Sequence, residues 1–441
     1  MRKIALAGVL VSVLAPAQAL AGTAGNTHED GGVTPVARPG TELAARSPLS
    51  RSQLRNRLEE QMDRVGGGSG AWVYDTRASG DRVLYSDSSS RSRLLASNSK
   101  LFATAPFLDR FGADGTLETK VFGRGGRSGR RDQILKGGLA LVGDGDPALA
   151  SPRFARRHGL PLTHLQPLAN EVRAAGIRRV KGNLRVDDTI FDRKRSVPQP
   201  GISGGPFLST LSGLSYNSGF DGGRYAKDPA KLAARAFVKA LRGAGVKWNG
   251  RIKVGDTPAK LRNSKPLGKV RSPSAAKLIA QTNTPSDNFF AEMLLKRLAA
   301  REGRQGTTKR GANAAERFAD SVGSGVKLVN GSGLSRKNAA SPENVGRLLV
   351  HMVEDDENDR AWRKSLAVAG RTGTLAGRMR GSAAEGDCQA KTGTIDGVSA
   401  LSGYCKAGEH LLAFSILMNG VNVDTARSAQ DAMAAAMARY R

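Results

Sequence analysis

The sequence predicts an α/β (α+β) fold in which helices pack on an antiparallel sheet and strand-rich segments interrupt that layer. Three observations predict it. Apolar residues at helical spacing dominate both ends of the chain, and short β-type runs between Gly and Pro turns dominate its middle. Three strand candidates near the C-terminus, "CQAKTGTI", "GVSALSGYC" and "HLLAFSILMNG", follow one another closely enough to be neighbours in one sheet. At 441 residues the chain exceeds what one hydrophobic core usually organises, so two or three domains are expected.

The elements follow in order. "MRKIALAGVLVSVLAPAQALA" has a basic start, a short apolar middle and small residues at its end, which predicts a secretory signal over residues 1–21 with cleavage after Ala21. Residues 22–48, polar and rich in Gly, Pro and Thr, read as a disordered leader. Leu54, Leu58, Met62 and Val65 then recur at helical spacing before three glycines end the run. "GAWVYDT" and "DRVLYSD" form a hairpin. "LLASNSKLFATAPFL" begins the next helix. From about Leu117 to Ser272 strands alternate with turns around one helix, "DPAKLAARAFVKALRGAG". Helical patterns return in "PSAAKLIAQTN", "SDNFFAEMLLKRLAAREG" and "NAAERFADSVG", and "DTARSAQDAMAAAMARYR" closes the chain. Met433, Met437 and Tyr440 make a stripe on that last helix that is expected to pack on the sheet rather than on a membrane. No later segment carries the roughly 18 apolar residues a membrane span needs, so the mature protein is expected to be extracytoplasmic, without a transmembrane anchor.

The chain holds 68 Lys and Arg against 39 Asp and Glu, a net charge of +29. Outside the cytoplasm the matching partners are anionic wall polymers or a membrane surface. Nucleic acid is not expected. "GRGGRSGRR" (Gly123–Arg131) imitates an RGG tract, but it occurs once and carries no aromatic residue. Five histidines in no triad or metal spacing, and only two cysteines, argue against zinc hydrolysis; no metal and no cofactor is expected.

Three short motifs in order carry the chemistry: Ser97-x-x-Lys100, Ser286-Asp287-Asn288, and Lys391-Thr392-Gly393-Thr394. A serine hydrolase without a catalytic histidine needs another base, and a lysine one helical turn from the serine, partly desolvated, has a depressed pKa and accepts its proton. Ser286 is placed to pass a proton to the departing amine and Asn288 to hold the substrate amide. Lys391 supplies positive potential, Thr392 and Thr394 offer hydroxyls to a terminal carboxylate, and the N–H groups of Ser97 and Thr394 are candidates for an oxyanion hole. Near copies exist. Ser274…Lys277 and Ser324…Lys327 repeat the first spacing, "SYN" (Ser215–Asn217) fits the second motif, and "RTGT" (Arg371–Thr374) nearly fits the third. Ser286 precedes a strong helix and Lys391 lies within strand texture, as their near copies do not.

The set resembles that of class A β-lactamases and penicillin-binding proteins. With "LALVGDGDPAL", "LRVDDTIF", "NGSGLS" and "GVSALSGY", the chain resembles the low-molecular-mass class C penicillin-binding proteins, the D-alanyl-D-alanine carboxypeptidase/endopeptidase family. The long separation of Ser97 from Ser286 is its most specific feature. Leu95-Ala96 where the family usually has Pro-Ala, and Asn330 where Asp is common, depart from the pattern. The resemblance implies a transpeptidase-like DD-peptidase domain over 49–116 and 273–441, an insert domain over 117–181 and 255–272, and a second, nested one over 182–254. It implies hydrolysis of the terminal D-Ala-D-Ala of peptidoglycan stem peptides through an acyl-enzyme on Ser97, with β-lactams trapped at the same serine. A DD-endopeptidase cutting cross-links and a non-catalytic cationic wall-binding protein stand as alternatives.

The two cysteines have a geometric reading. If "CQAKTGTI" and "VSALSGYC" pair around an Asp396-Gly397 turn, Cys388 falls directly opposite Cys405. At a non-hydrogen-bonded position such residues are close enough to cross-link, and export supplies the oxidising surroundings. The bridge would hold the strand that presents Lys391, Thr392 and Thr394. The charge balance carries a prediction of its own: the protein binds purified anionic wall material at low salt and releases it at high salt. Retention that does not fall as salt is raised in a pelleting assay contradicts it.

Overall fold

The computed structural model describes residues 47–128, 133–196, 210–222, 224–300 and 304–441. The predicted signal and all but the last two residues of the predicted leader lie outside them, as do residues 129–131 of the basic tract. Among the described residues no helix is long and apolar enough to cross a membrane.

Helix α1 (Arg51–Val65) opens with a capping box in which the Ser50 and Gln53 side chains each accept from the other's backbone N–H. It leads into β1 (Ser69–Asp75) and β2 (Val83–Asp87), the predicted hairpin, and then α2 (Ser99–Phe111). The middle contributes β3 (Glu118–Arg124), β4 (Gly138–Val142), α3 (Leu165–Ala174), β5 (Leu184–Asp187), α4 (Pro229–Gly243), β6 (Ile252–Val254) and β7 (Gly268–Arg271). Helices α5 (Ala275–Asn283), α6 (Asn288–Ala299), α7 (Thr308–Ser321) and α8 (Pro342–Glu354) follow. The chain ends with β8 (Cys388–Ile395), β9 (Val398–Ala407), β10 (His410–Asn419) and α9 (Val423–Met437).

The main sheet is antiparallel and six-stranded, in the order Ala367–Val368, β8, β9, β10, β1, β2. Both of its faces are covered, which is why β10 is buried at every position from Leu411 to Met418. On one face α2, α5, α6 and α8 contribute Phe102, Phe107, Leu278, Phe290, Leu294 and Leu348 to one apolar cluster. On the other, Leu54, Leu58 and Met62 of α1 meet Met433 and Met437 of α9. The methionine stripe on the last helix therefore packs on the sheet, as expected. Each such buried side chain contributes ~1.5–3 kcal/mol relative to an exposed one.

Residues between β3 and β7 build sheets of their own. The larger has the order β6-β5-β4-β3-β7, with β4, β5 and β6 parallel and β3 antiparallel to its neighbours. Leu139, Val186, Leu168, Val172, Phe237 and Leu241 share one core. The strands of 182–254 thus stand beside those of 117–181. Besides the predicted helix, the described residues of this region form helices at Pro152–His158, α3 and Ala259–Arg262. Pro167 masks α3 in the sequence, yet it lies in the first turn, where a missing N–H is harmless. Two ion pairs tie the region to α6: fully buried Lys296 Nζ meets Asp192 at 2.6 Å, and Arg297 meets Asp144 at 3.0 Å.

Strands β8 and β9 pair in the predicted register, Ile395 with Val398 through to Cys388 with Cys405. The Lys406 N–H donates to the Asp387 carbonyl, which marks 388/405 as a non-hydrogen-bonded pair, and a disulfide joins the two cysteines across a Cα separation of 4.1 Å. It closes a separation of 17 residues, worth about 3 kcal/mol in the chain-entropy description. Replacing both cysteines by serine is expected to lower stability by roughly that amount in urea unfolding. Two free thiols in unfolded, unreduced wild-type protein taken from outside the cell contradict the bridge.

Candidate active site

Ser97 does not open α2 as the sequence suggests. It stands in a 3-10 turn, Ala96–Asn98, immediately before the helix, and Ala96 is held at φ +44°. A left-handed non-glycine residue costs ~1–2 kcal/mol and persists only where its surroundings hold it. Here two glycines let other backbones close on the turn. A Cβ on Gly333 (φ +85°) would collide with the Ala96 carbonyl, and one on Gly393 would lie 2.7 Å from the Leu95 carbonyl and 3.1 Å from the Ser97 nitrogen. Asn98 fixes the turn from below, donating to Ser402 Oγ at 2.7 Å.

One turn into α2, Lys100 is wholly buried. Its Nζ lies 3.0 Å from Ser97 Oγ, 2.7 Å from Asn288 Oδ1 and 2.6 Å from the Ser332 carbonyl. Burial lowers its pKa to about 7, against the opposing pull of the Asp287 and Glu292 carboxylates. A neutral amine has two N–H donors and one lone pair. The two carbonyl-type acceptors take the donors, and the lone pair is left for the Ser97 hydroxyl.

Asn288 is the first residue of α6 and is set there by Asp287, whose carboxylate caps the helix by accepting from the Phe290 N–H at 3.0 Å. Ser286 precedes the cap at φ +65°, and its hydroxyl accepts from Lys391 Nζ at 2.9 Å. Lys391, also wholly buried, donates again to the Thr392 carbonyl at 2.8 Å. Burial, with repulsion from Lys100, holds its pKa well below the ordinary lysine value. All three predicted motifs therefore meet around two buried lysines.

Along β8 the side chains alternate. Lys391 and Gly393 face the Ser97 turn, while Thr392 and Thr394 take the other face. Thr392 Oγ1 is 2.8 Å from Thr374 Oγ1, and Thr394 Oγ1 accepts from Arg427 Nη2 of α9 at 3.3 Å. The near copies separate as expected, with one addition. Ser274 is the N-cap residue of α5, Ser324 donates to the Asn344 carbonyl, and Asn217 accepts from the Ser151 N–H. The "RTGT" segment forms a 3-10 turn, Gly373–Leu375, yet its Thr374 reaches the site beside Thr392.

Sequence reasoning missed Thr374, Arg427 and the support under the Ser332 carbonyl. That support is a polar web: the Ser332 N–H donates to Glu292, the Gly333 N–H to Asn330 Oδ1, and Asn338 Nδ2 to the Asn330 carbonyl and Ser99 Oγ. "NGSGLS" was the available signal for it, and the repeated threonine-glycine pattern the signal for Thr374. Nothing in the sequence pointed to Arg427.

Comparison with known proteins places the chain in a family. The chain is 32% identical to a D-alanyl-D-alanine carboxypeptidase of Actinomadura sp. (strain R39), over 90% of this chain and 87% of that one. It is 29% identical to carboxypeptidase DacB of Mycolicibacterium smegmatis, over 78% of this chain and 74% of that one. Its fold superposes on penicillin binding protein 4 (dacB) from Haemophilus influenzae with a TM-score of 0.69, at 19% identity, covering 86% of this chain and 97% of the other. A predatory endopeptidase of Bdellovibrio bacteriovorus shares the fold at a TM-score of 0.51 and 16% identity, over 83% and 88% of the two chains. Residues 52–201 and 216–440 match the D-Ala-D-Ala carboxypeptidase 3 (S13) family, and the chain belongs to that family.

Proposed function

We propose that the protein is an exported serine DD-peptidase that removes the terminal D-Ala of peptidoglycan stem peptides through an acyl-enzyme on Ser97, and that penicillins acylate the same serine. The observation that carries this reading is the position of Lys100 Nζ, within hydrogen-bond reach of Ser97 Oγ with two fixed acceptors for its own protons. Neutral Lys100 takes the Ser97 proton as Oγ attacks the carbonyl of the penultimate D-Ala. The oxyanion forms beside the N–H groups of Ser97 and Thr394, the latter on a strand that the missing Cβ of Gly393 lets lie against the Ser97 turn. As the C–N bond breaks, the proton passes to the leaving amine by way of Ser286, whose hydroxyl Lys391 Nζ polarises. Water then hydrolyses the ester along the same path. In a β-lactam the leaving nitrogen stays tethered to the acyl group, which keeps it beside the ester and slows that last step.

Residues 49–116 and 273–441 carry the proposed chemistry, and the inserts at 117–181 with 255–272 and at 182–254 are proposed to shape access to it. Penicillin binding protein 4 of Haemophilus influenzae has been crystallised with a β-lactam, which supports the penicillin reading. The same atoms serve a DD-endopeptidase, and release of monomers from cross-linked dimers, measured beside release of D-Ala from a pentapeptide, gives the balance.

Fluorescent penicillin is expected to label the wild-type protein covalently and to leave Ser97→Ala unlabelled on a denaturing gel. Label on the alanine variant, or none on the wild type, defeats the assignment. The rate of labelling should rise with pH through about 7, because the Lys100 pKa is lowered and its neutral form accumulates above that value. Below it the rate should fall about tenfold per pH unit. Lys100→Met should lose about 100-fold or more in labelling rate.

A further inference from the structure

We infer that Arg427 binds the free carboxylate of the scissile peptide's leaving residue and so sets the preference for substrates that end in one. The inference rests on the DD-peptidase reading above and concerns a residue outside the three motifs. Thr392 and Thr394 share the face of β8 turned away from Lys391 and toward α9, so an anion held by their hydroxyls lies on the α9 side of the strand edge. Both motif lysines are on the other side, buried, and committed to Ser97, Asn288, Ser286 and backbone carbonyls. Arg427 is on the correct side.

Its side chain is 43% exposed and its Nη2 donates to Thr394 Oγ1 at 3.3 Å, which orients that hydroxyl. A threonine oxygen that accepts from a guanidinium turns its own proton outward, ready to donate to an incoming carboxylate. The guanidinium keeps further N–H donors for the same anion. Its acidic neighbour is Asp424, at 3.5 Å and 91% exposed, a pairing too solvated to hold the guanidinium back. An arginine serving only α9 would have no need of Thr394.

The test uses two activated substrates with the same N-acyl-D-alanyl group in a thioester. In one the leaving thiol ends in a carboxylate and in the other in a carboxamide. Wild type should prefer the carboxylate by about 10- to 100-fold in kcat/KM. Arg427→Ala should bring that ratio near one by losing rate on the carboxylate alone, mainly through KM, and Arg427→Lys should retain part of it. Equal losses on both substrates, or an unchanged ratio, overturn the role of Arg427 while leaving the DD-peptidase reading intact. A wild type inert toward both substrates and toward penicillin overturns the two together. Should the alanine variant melt well below wild type, Arg427→Lys decides alone: a ratio equal to that of the wild type overturns the inference, and a lowered one supports it.

Discussion

Burial of the Lys100 amine is the constraint around which the molecule is arranged. Three separate parts of the chain supply its neighbours: the turn before α2, the first residue of α6 and the loop after α7. A buried amine without partners is costly, so each of those parts must stay in place for the others to be tolerated. This explains the density of special backbone around it. Ala96 and Ser286 adopt left-handed conformations, and Gly333 and Gly393 are open to close approach, all within the same shell. Lys391 is held apart by its own bonds to Ser286 and Thr392, and burial with repulsion from Lys100 keeps its pKa well below the ordinary lysine value.

Much of this was legible in the sequence. Long periodic helices such as α1, α4, α6 and α9 declare themselves, and the β8–β9 hairpin was readable to the residue because Asp-Gly favours a two-residue turn, and that turn sets which residues stand opposite one another. The three motifs were legible because serine–lysine chemistry needs those groups together and in few arrangements. The 3-10 turn at Ser97 was not, since it depends on glycines more than two hundred positions away. Thr374 and Arg427 escaped for a related reason: their relevance comes from tertiary proximity to β8, which leaves no local periodicity. The helices at Pro152–His158 and α3 escaped because they are short and α3 has a proline in its first turn.

The inserted region is fastened to the helix that starts with Asn288. Lys296 and Arg297 lie about two turns along α6 from Asn288, and each is paired with an aspartate of the insert. A buried pair such as Lys296 with Asp192 is weak evidence for stability, because desolvation offsets much of the attraction. Losing one partner is a different matter, for it strands a charge inside the fold. The pairs thus fix where the insert stands relative to α6 more than they add to the total free energy of folding.

The disulfide has a consequence for which side of the sheet each catalytic group occupies. Side chains alternate along β8, so a slip of one residue against β9 would turn Lys391 toward α9 and the two threonines toward Ser97. Both arrangements would bury a comparable apolar strand, so hydrophobic burial alone discriminates poorly between them. A covalent link between directly opposed residues admits only one of these parities. Closure of the bridge then acts as an assembly check: a chain whose strand has paired on the wrong parity cannot form it, and keeps two free thiols.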